Sequence, residues 1–467
     1  MLFNSLEFFM FFPAVCIICY LLRNVTYRNL FLLLASYYFY MNWKPIYALL
    51  LLASTVATYG CGLMLEKYSD NIGRKKVLLV LNLVFNLGIL FLFKYYNFIN
   101  GSIHEMMYAL GIGWNVPNLD VLLPVGISFY TFMAVGYTID VYRGQKAERN
   151  FITYALFVSF FPQVAAGPIG RSYQLLPQFK TIQEYDYNRM LGGAKMMLWG
   201  YFLKLCLADR CGIYVDAIFN NVAHHNGGSY LIASLLFTFQ IYGDFAGYSL
   251  IAIGAAKIMG FQLMENFCRP YFALSVGEFW HRWHISLSTW FRDYLYIPLG
   301  GNRVSKARNY FNLFVTFMVS GIWHGANWTF LCWGSLHGIL LCIEKALKIG
   351  KKNYTGVTRY LHWFITFILV SLCWTIFRAN NLSDAVQVIT GIFTNLGAPK
   401  MEFAHWFAIA IAMVILFVKE FSDEFNWQLR IVNPKSWVVK HIYFVLMIAY
   451  ILLFGVLGSD QFIYFQF

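Results

Sequence analysis

Residues 310–343 read YFNLFVTFMVSGIWHGANWTFLCWGSLHGILLCI. Two apolar runs, 310–319 and 329–343, enclose a short polar centre, Ser320-Gly321-Ile322-Trp323-His324-Gly325-Ala326-Asn327-Trp328. Crossing a hydrocarbon core takes about 20 apolar residues in a helix. Runs of this length, back to back, put the intervening His and Asn at membrane depth, where each polar group needs a protein partner. An imidazole in that position is either a satisfied core residue or a reactive one. Gly321 and Gly325 flank it closely, so a backbone or a ligand can approach. His337, farther along the second run, reads as a core residue.

Apolar runs recur along the whole chain, near 6–22, 28–42, 46–65, 77–98, 121–142, 151–166, 190–219, 229–260, 358–377, 402–419 and 440–458. The composition agrees: 59% of the residues are hydrophobic and 12% charged, where a soluble domain is about half apolar and about a quarter charged. The fold class is therefore all-α integral membrane, with roughly 11–13 transmembrane or re-entrant helices. Nothing between the runs is large enough for a soluble domain, so 1–467 reads as a single membrane domain. Within it, 1–150 supplies N-terminal helices, 151–348 a core and 349–467 C-terminal helices. Aromatic residues make up 20% of the chain, and Tyr and Trp suit the two membrane interfaces.

The formal charge of +13 sits largely in short loops. Anionic lipid head groups, rather than nucleic acid, are its partner, and no base-reading motif is present. Arg23 and Arg28, then Lys67, Arg74, Lys75 and Lys76, then Arg143, Lys146 and Arg149 make alternate loops basic. That pattern places the N-terminus outside the cytoplasm. The first segment lacks a basic leader and a cleavage site, and reads as retained. Cys16 and Cys19 form a C-x-x-C inside an apolar run, without a second pair, so they read as packing residues and no metal site is expected. Asp140 and Asp244 are isolated acids near membrane segments, expected to pair with Arg or Lys.

A second polar concentration lies at 277–303, GEFWHRWHISLSTWFRDYLYIPLGGNR. At helical spacing Trp280, Trp283, Leu287, Trp290, Phe291 and Tyr294 share one face, and His281, His284, Ser288 and Arg292 another. One amphipathic helix over 279–296 is expected, ended by Pro298 and Gly300-Gly301. It either lies at the interface or lines a polar cavity. No HExxH, GxxxxGK[ST] or partnered GxSxG motif offers competing chemistry.

Together these two segments resemble the membrane-bound O-acyltransferase superfamily, in its bacterial branch that acetylates alginate and peptidoglycan. FWHRWHISLSTWFRDYLYIPLGGNR is similar to that branch's signature, and SGIWHGANWTF to the segment carrying the family's histidine. MLFNSLEFF, FPQVAAGPIGR at 161–171 and the closing FIYFQF also fit. The resemblance implies a ring of helices around a central tunnel, with His324 catalytic and His284 as its polar companion. It implies acetyl-CoA from the cytoplasm as donor substrate, no bound cofactor, and a polytopic protein of the bacterial inner membrane. It further implies an SGNH-type periplasmic transferase as partner, with peptidoglycan or an alginate-like polymer as final acceptor. A thioester needs chiefly a general base and oxyanion donors. His324 can be the base, and His284 or Asn327 can orient it or donate to the oxyanion. Trp323 and Trp283 can exclude water, and with Asn327, Arg282 and Ser288 they form the expected substrate-binding set.

FIYFQF is either an interfacial plug or, by resemblance to similar terminal motifs in bacterial acyl-transfer systems, an acyl carrier. In the second case the Tyr464 phenol takes the acetyl group and passes it outward. A transporter or channel for a small solute is the alternative from another class. It would require repeated halves or matched discontinuous helices, which the sequence does not display. A scaffold that has lost activity would not need the intact His284 and His324.

Overall fold

The structure, a computed structural model, describes residues 1–352, 354–399, 401–427, 437–456 and 462–463. Every regular element among them is helical: twenty α-helices joined by short 3-10 and π turns. Five helical stretches are long and apolar enough to cross a membrane: Pro45–Lys67, Ile72–Ala109, Trp328–Leu347, Gly356–Arg378 and His405–Glu424. Leu6–Leu21, Leu382–Thr394 and His441–Phe454 are shorter apolar helices. The other expected runs are helical too, but trimmed or interrupted. Run 121–142 is helical only from Ile127, and 151–166 breaks at Phe160. There Pro162 has no N–H to continue the ladder, and it opens a new turn instead.

The chain forms two compact units. The first comprises Met1–Ala194 and Ala252–Met264. Its helix Ile72–Leu90 shows large apolar side chains to the outside, among them Val77, Leu81 and Val84, a surface that suits lipid tails. Polar groups turn inward and bond across helices: Ser54 Oγ donates to Asn86 Oδ1 at 2.6 Å. Arg28 is buried and donates to the Phe179 carbonyl at 2.8 Å, so its charge is held by backbone dipoles.

The second unit comprises Lys195–Ile251 and Glu265–Phe467. Its centre is a hairpin of helices Lys306–His324 and Trp328–Leu347. A Cβ on Gly321 would meet Phe330 O at 2.3 Å and Gly334 Cα at 3.0 Å. Absence of side chains at both glycines is therefore what lets the two backbones touch. Asn327 caps the second helix, its Oδ1 accepting from Thr329 N at 3.0 Å.

The expected single amphipathic helix over 279–296 is not formed. Two seven-residue helices, Val276–Arg282 and Ile285–Phe291, are separated by Trp283 and His284, and a π turn runs over Arg292–Tyr296. His284 adopts the left-handed conformation, φ 44° and ψ 52°, which a non-glycine residue reaches only against a steric cost of about 1–2 kcal/mol. The break turns the two halves about His284, so His281, His284, Ser288 and Arg292 do not make one continuous stripe. Periodicity could not reveal this, because the kink is held by residues distant in sequence.

Candidate active site

Asn266 holds the kink. Its backbone carbonyl accepts from Ile285 N at 3.0 Å. Its side-chain Oδ1 accepts from Ser286 N at 3.2 Å and from Ser286 Oγ at 2.9 Å, while its Nδ2 donates to Ser249 Oγ at 3.1 Å. On the other side, Cys268 N donates to Arg282 O at 2.9 Å. The ends of the short helices are fastened as well. Glu344 receives Gly277 N at 2.9 Å, and Glu424 takes both guanidinium arms of Arg282 at 3.0 Å together with Arg269 Nε at 2.7 Å. His284 is thus presented by a scaffold whose every joint is a hydrogen bond.

What it is presented to is His324, at the end of helix Lys306–His324. Their ring centroids are 6.3 Å apart. Both rings are buried, His284 fully. Phe245 meets His284 edge-on at 4.5 Å; Trp323 and Trp333 each stand 5.0 Å from His324, and Phe377 stands 5.5 Å from it. Two imidazoles are therefore enclosed by aromatic faces that keep bulk water out. His284 lies in the link between the short helices, outside the long apolar spans. Burial first, and then the field of His324, hold its ring well below the ordinary imidazole range, so it is neutral at pH 7. A neutral imidazole can accept a proton from a hydroxyl or donate one to an oxyanion.

Residues close to the pair in the chain line a chamber whose wall does not include either imidazole. This chamber of about 310 Å³ is lined by Ile285, Ser288, Phe291, Phe317 and Ser320 among others. Ile285 follows His284 in the chain, and Ser320 lies one turn before His324. Leu313 and His281 line this chamber and also a wider cleft of about 760 Å³. That cleft carries Lys345, Lys348, Lys352 and Arg359 together with Glu278 and Glu344, so cations outnumber carboxylates in its wall. A cleft with an excess of basic residues thus shares walls with a mainly apolar chamber that Ile285 and Ser320 help to line.

The residues singled out in the sequence have separate places in this arrangement. Trp323 packs on both imidazoles, at 5.0 Å from His324 and 6.0 Å from His284. Ser288 lines the chamber, and its Oγ donates to Trp283 O at 3.3 Å. Trp283 is fully buried against Phe267 and Trp374, each 4.9 Å away. Arg282 is tied to Glu424 and Glu278. Asn327 has both ends of its amide engaged, Oδ1 by Thr329 N and Nδ2 by the Asn380 carbonyl at 2.9 Å. Tyr464 lies outside the described residues. His337 is buried, its Nδ1 accepting from Trp280 Nε1 at 3.2 Å, a core role. Gly325 admits the Phe330 ring, which a Cβ would meet at 2.1 Å, so the space it leaves is filled by protein. Sequence reading missed Asn266, Glu424 and Glu344; single polar residues in connecting segments or at helix ends give no periodic signal.

Comparison with known proteins supplies the remaining observation. Residues 38–383, which contain both imidazoles, match the family described as MBOAT, membrane-bound O-acyltransferase family. The chain is 42% identical over 395 residues to a protein of Pseudomonas syringae pv. tomato named probable alginate O-acetylase AlgI, covering 84% of this chain and 75% of that one. It is 35% identical over 425 residues to a peptidoglycan O-acetyltransferase of Helicobacter pylori, covering 84% and 80%. A teichoic acid D-alanyltransferase of Bacillus subtilis is 28% identical over 268 residues, covering 54% and 68%. With apolar helices along the chain and a buried imidazole pair inside the matched span, the chain is a multi-pass membrane acyltransferase and belongs to the membrane-bound O-acyltransferase family.

Proposed function

We propose that this protein is an O-acetyltransferase of the bacterial inner membrane, taking acetyl from cytoplasmic acetyl-CoA to an envelope polysaccharide, peptidoglycan or an alginate-like polymer. The observation that carries the reading is the enclosed His284–His324 pair, 6.3 Å apart; a chamber lined by their chain neighbours Ile285 and Ser320 shares walls with a cleft rich in basic residues. Lys345, Lys348, Lys352 and Arg359 suit the phosphates of a coenzyme A donor, and the narrower apolar chamber suits its acyl-bearing arm. The names of the relatives, an alginate O-acetylase and a peptidoglycan O-acetyltransferase, support an envelope polymer as acceptor.

In the reaction so proposed, the Tyr464 phenol oxygen attacks the thioester carbonyl while its proton passes to His324. His284 steadies the oxyanion. The carbon–sulfur bond then breaks, and coenzyme A leaves as the thiol with the proton from His324. The acetyl group rests as an aryl ester, whose phenoxide leaves readily because a phenol ionises near pH 10. On the far side the Ser hydroxyl of an SGNH-type partner attacks that ester, takes the acetyl group and gives its proton to the tyrosine oxygen; a polymer hydroxyl then attacks the seryl ester and gives its proton to the Ser oxygen. The N-terminus lies on that same, non-cytoplasmic side.

The test is reconstitution in liposomes with radiolabelled acetyl-CoA supplied on one side. Label on the protein, and on a polymer or hydroxyl acceptor placed inside, supports the reading; its loss in His324→Ala ties it to the imidazole. Intact acetyl-CoA accumulating inside, with no transfer, would overturn it in favour of a transporter.

A further inference from the structure

Away from the imidazole pair, the second unit buries a group of charges. Lys204 Nζ lies 2.7 Å from Asp209 Oδ1 and 2.6 Å from Asp244 Oδ1, with all three side chains buried. Lys204 sits in the π turn Phe202–Ala208, and Asp244 on helix Gly227–Ile258. The two backbones cross at Gly200 and Gly247, where a Cβ on either would meet the other's carbonyl oxygen at 2.6–2.7 Å. Two carboxylates therefore share one ammonium, and a buried carboxylate calls for a further hydrogen-bond donor.

That donor is the chain itself. Asp244 turns Oδ1 to Lys204 and Oδ2 to the backbone N–H of Ile463, 2.9 Å away. The Phe462 ring lies over Lys204 Nζ at 4.3 Å and meets Tyr248 edge-on at 4.8 Å. Upstream, the same region receives the end of helix Trp437–Phe454: Arg210 Nε donates to Phe454 O at 2.8 Å, and Val456 N donates to Leu205 O at 3.0 Å. The chain is therefore fastened at 454–456 and again at 462–463, both times to the segment around Lys204 or to its partner Asp244. Asp244 is followed by Phe245, whose ring packs on His284. The second fastening is thus one residue from the wall of the imidazole site.

We propose that Lys204, Asp209 and Asp244 form a seat for the 462–463 segment, and that Asp244 and Lys204 are positioning residues that hold this segment beside the imidazole pair during transfer. The seat explains why a buried cation carries two carboxylates, since one is shared with Ile463. It rests on the acetyl-transfer reading, because the residue after Ile463 is Tyr464, the acyl carrier in that reading. The ring over the ammonium supplies cation–π attraction in a desolvated site, and the amide–carboxylate bond sets the register of the segment.

Hydrogen–deuterium exchange on the detergent-purified full chain reads the seat directly. The Ile463 amide should exchange at least about tenfold more slowly than in the free 461–467 peptide, the ratio a charge-assisted hydrogen bond provides. Asp244→Ala keeps the Lys204–Asp209 pair, and Phe462→Ala removes only the ring over the ammonium and no charged group. Both should return Ile463 to fast exchange and lower kcat for acetyl transfer about tenfold or more, leaving KM for acetyl-CoA and protection of helix Gly227–Ile258 unchanged. Fast exchange of Ile463 in the unaltered protein would overturn the proposal. So would release of the segment in Phe462→Ala with kcat unchanged. His324→Ala separates this from the parent reading: transfer surviving in that variant defeats acetyl transfer through His324, whereas the Ile463 protection there reports only on the seat.

Discussion

The His284 and His324 ring centroids stand 6.3 Å apart, with 56° between their planes. Even with one nitrogen of each ring turned toward the other, that spacing exceeds a direct hydrogen bond. It fits a single oxygen held between the two rings by bonds of about 2.8 Å. An oxygen so held can lose its proton to one ring while the other donates to it. Replacing His324 with Ala should lower acetyl transfer by about 10²–10⁴-fold, the range for a general base. Thermal unfolding should change little, because the site is walled by Trp323, Trp333 and Phe377 rather than hung from the imidazole. Labelled acetate released from the polymer by mild base measures the first quantity. Transfer within about threefold of the unaltered protein would remove His324 from the chemistry.

Titration of His284 gives the second prediction. Its folded-state pKa lies well below the ordinary imidazole value of 6.5. The unfolded chain therefore binds a proton in a range where the native protein does not. With the unfolded state holding more protons, native stability is complete above about pH 6.5 and is lost as pH falls below it. A series of unfolding temperatures between pH 8 and pH 5 should slope downward on the acid side. His284→Asn, which cannot titrate, should be measurably flatter over the same interval. Equal slopes in the two proteins would mean that the ring is not kept neutral by its surroundings.

The distribution of apolar runs, and the two polar strings around His284 and His324, were legible in the amino-acid order because each is local. A run of hydrophobic residues specifies a buried or lipid-facing helix wherever it lies. A His between two such runs has to be accommodated inside the protein. The kink at His284 was not legible. Its causes are Asn266 and Cys268, whose bonds to 282–286 are tertiary, and Ser249, which holds the Asn266 amide; local periodicity from 279 to 296 pointed to an unbroken helix. Arg282 shows the same limit. Its partner could not be read from the motif, since in the fold its arms close on Glu424, more than a hundred residues away. The basic residues at 345–359 are close in sequence, but that they line one cleft with Leu313 and His281 was not legible, because those two residues reach it only through tertiary packing.

Asn266 offers a sharp test of the kink. Its side chain is buried and serves Ser286 N, Ser286 Oγ and Ser249 Oγ. Asn266→Ala strands those groups away from water, at about 1–3 kcal/mol for an unsatisfied buried group. The loss of restraint also frees His284 from a conformation that is unfavourable by itself. Unfolding temperature should fall by several degrees, and transfer should fall further than the remaining folded fraction explains. Asn266→Ala with stability reduced but full specific activity per folded molecule would show that His284 is held by other contacts.

The helix hairpin that carries His324 is set by its glycines, and this gives the last prediction. A methyl group at Gly321 would collide with the Phe330 carbonyl oxygen at 2.3 Å and crowd Gly334 Cα at 3.0 Å. Both obstacles are backbone, so no side-chain rotation relieves them. Gly321→Ala must push the two helices apart, at about 1–3 kcal/mol for overpacking. His324 follows three residues later, and Trp333, which packs on its ring at 5.0 Å, lies on the opposite helix. Separation of the helices therefore shifts the imidazole relative to its wall. A misplacement near 1 Å costs about 10²-fold in rate, so transfer should fall by that order while the protein remains folded. Gly60→Ala is the control, because a Cβ there has nothing within 4 Å; as a helix-interior Gly→Ala change it should raise stability by about 0.5–1 kcal/mol and leave transfer intact. Equal activity in the two alanine variants would mean that the spacing of this hairpin does not set the position of His324.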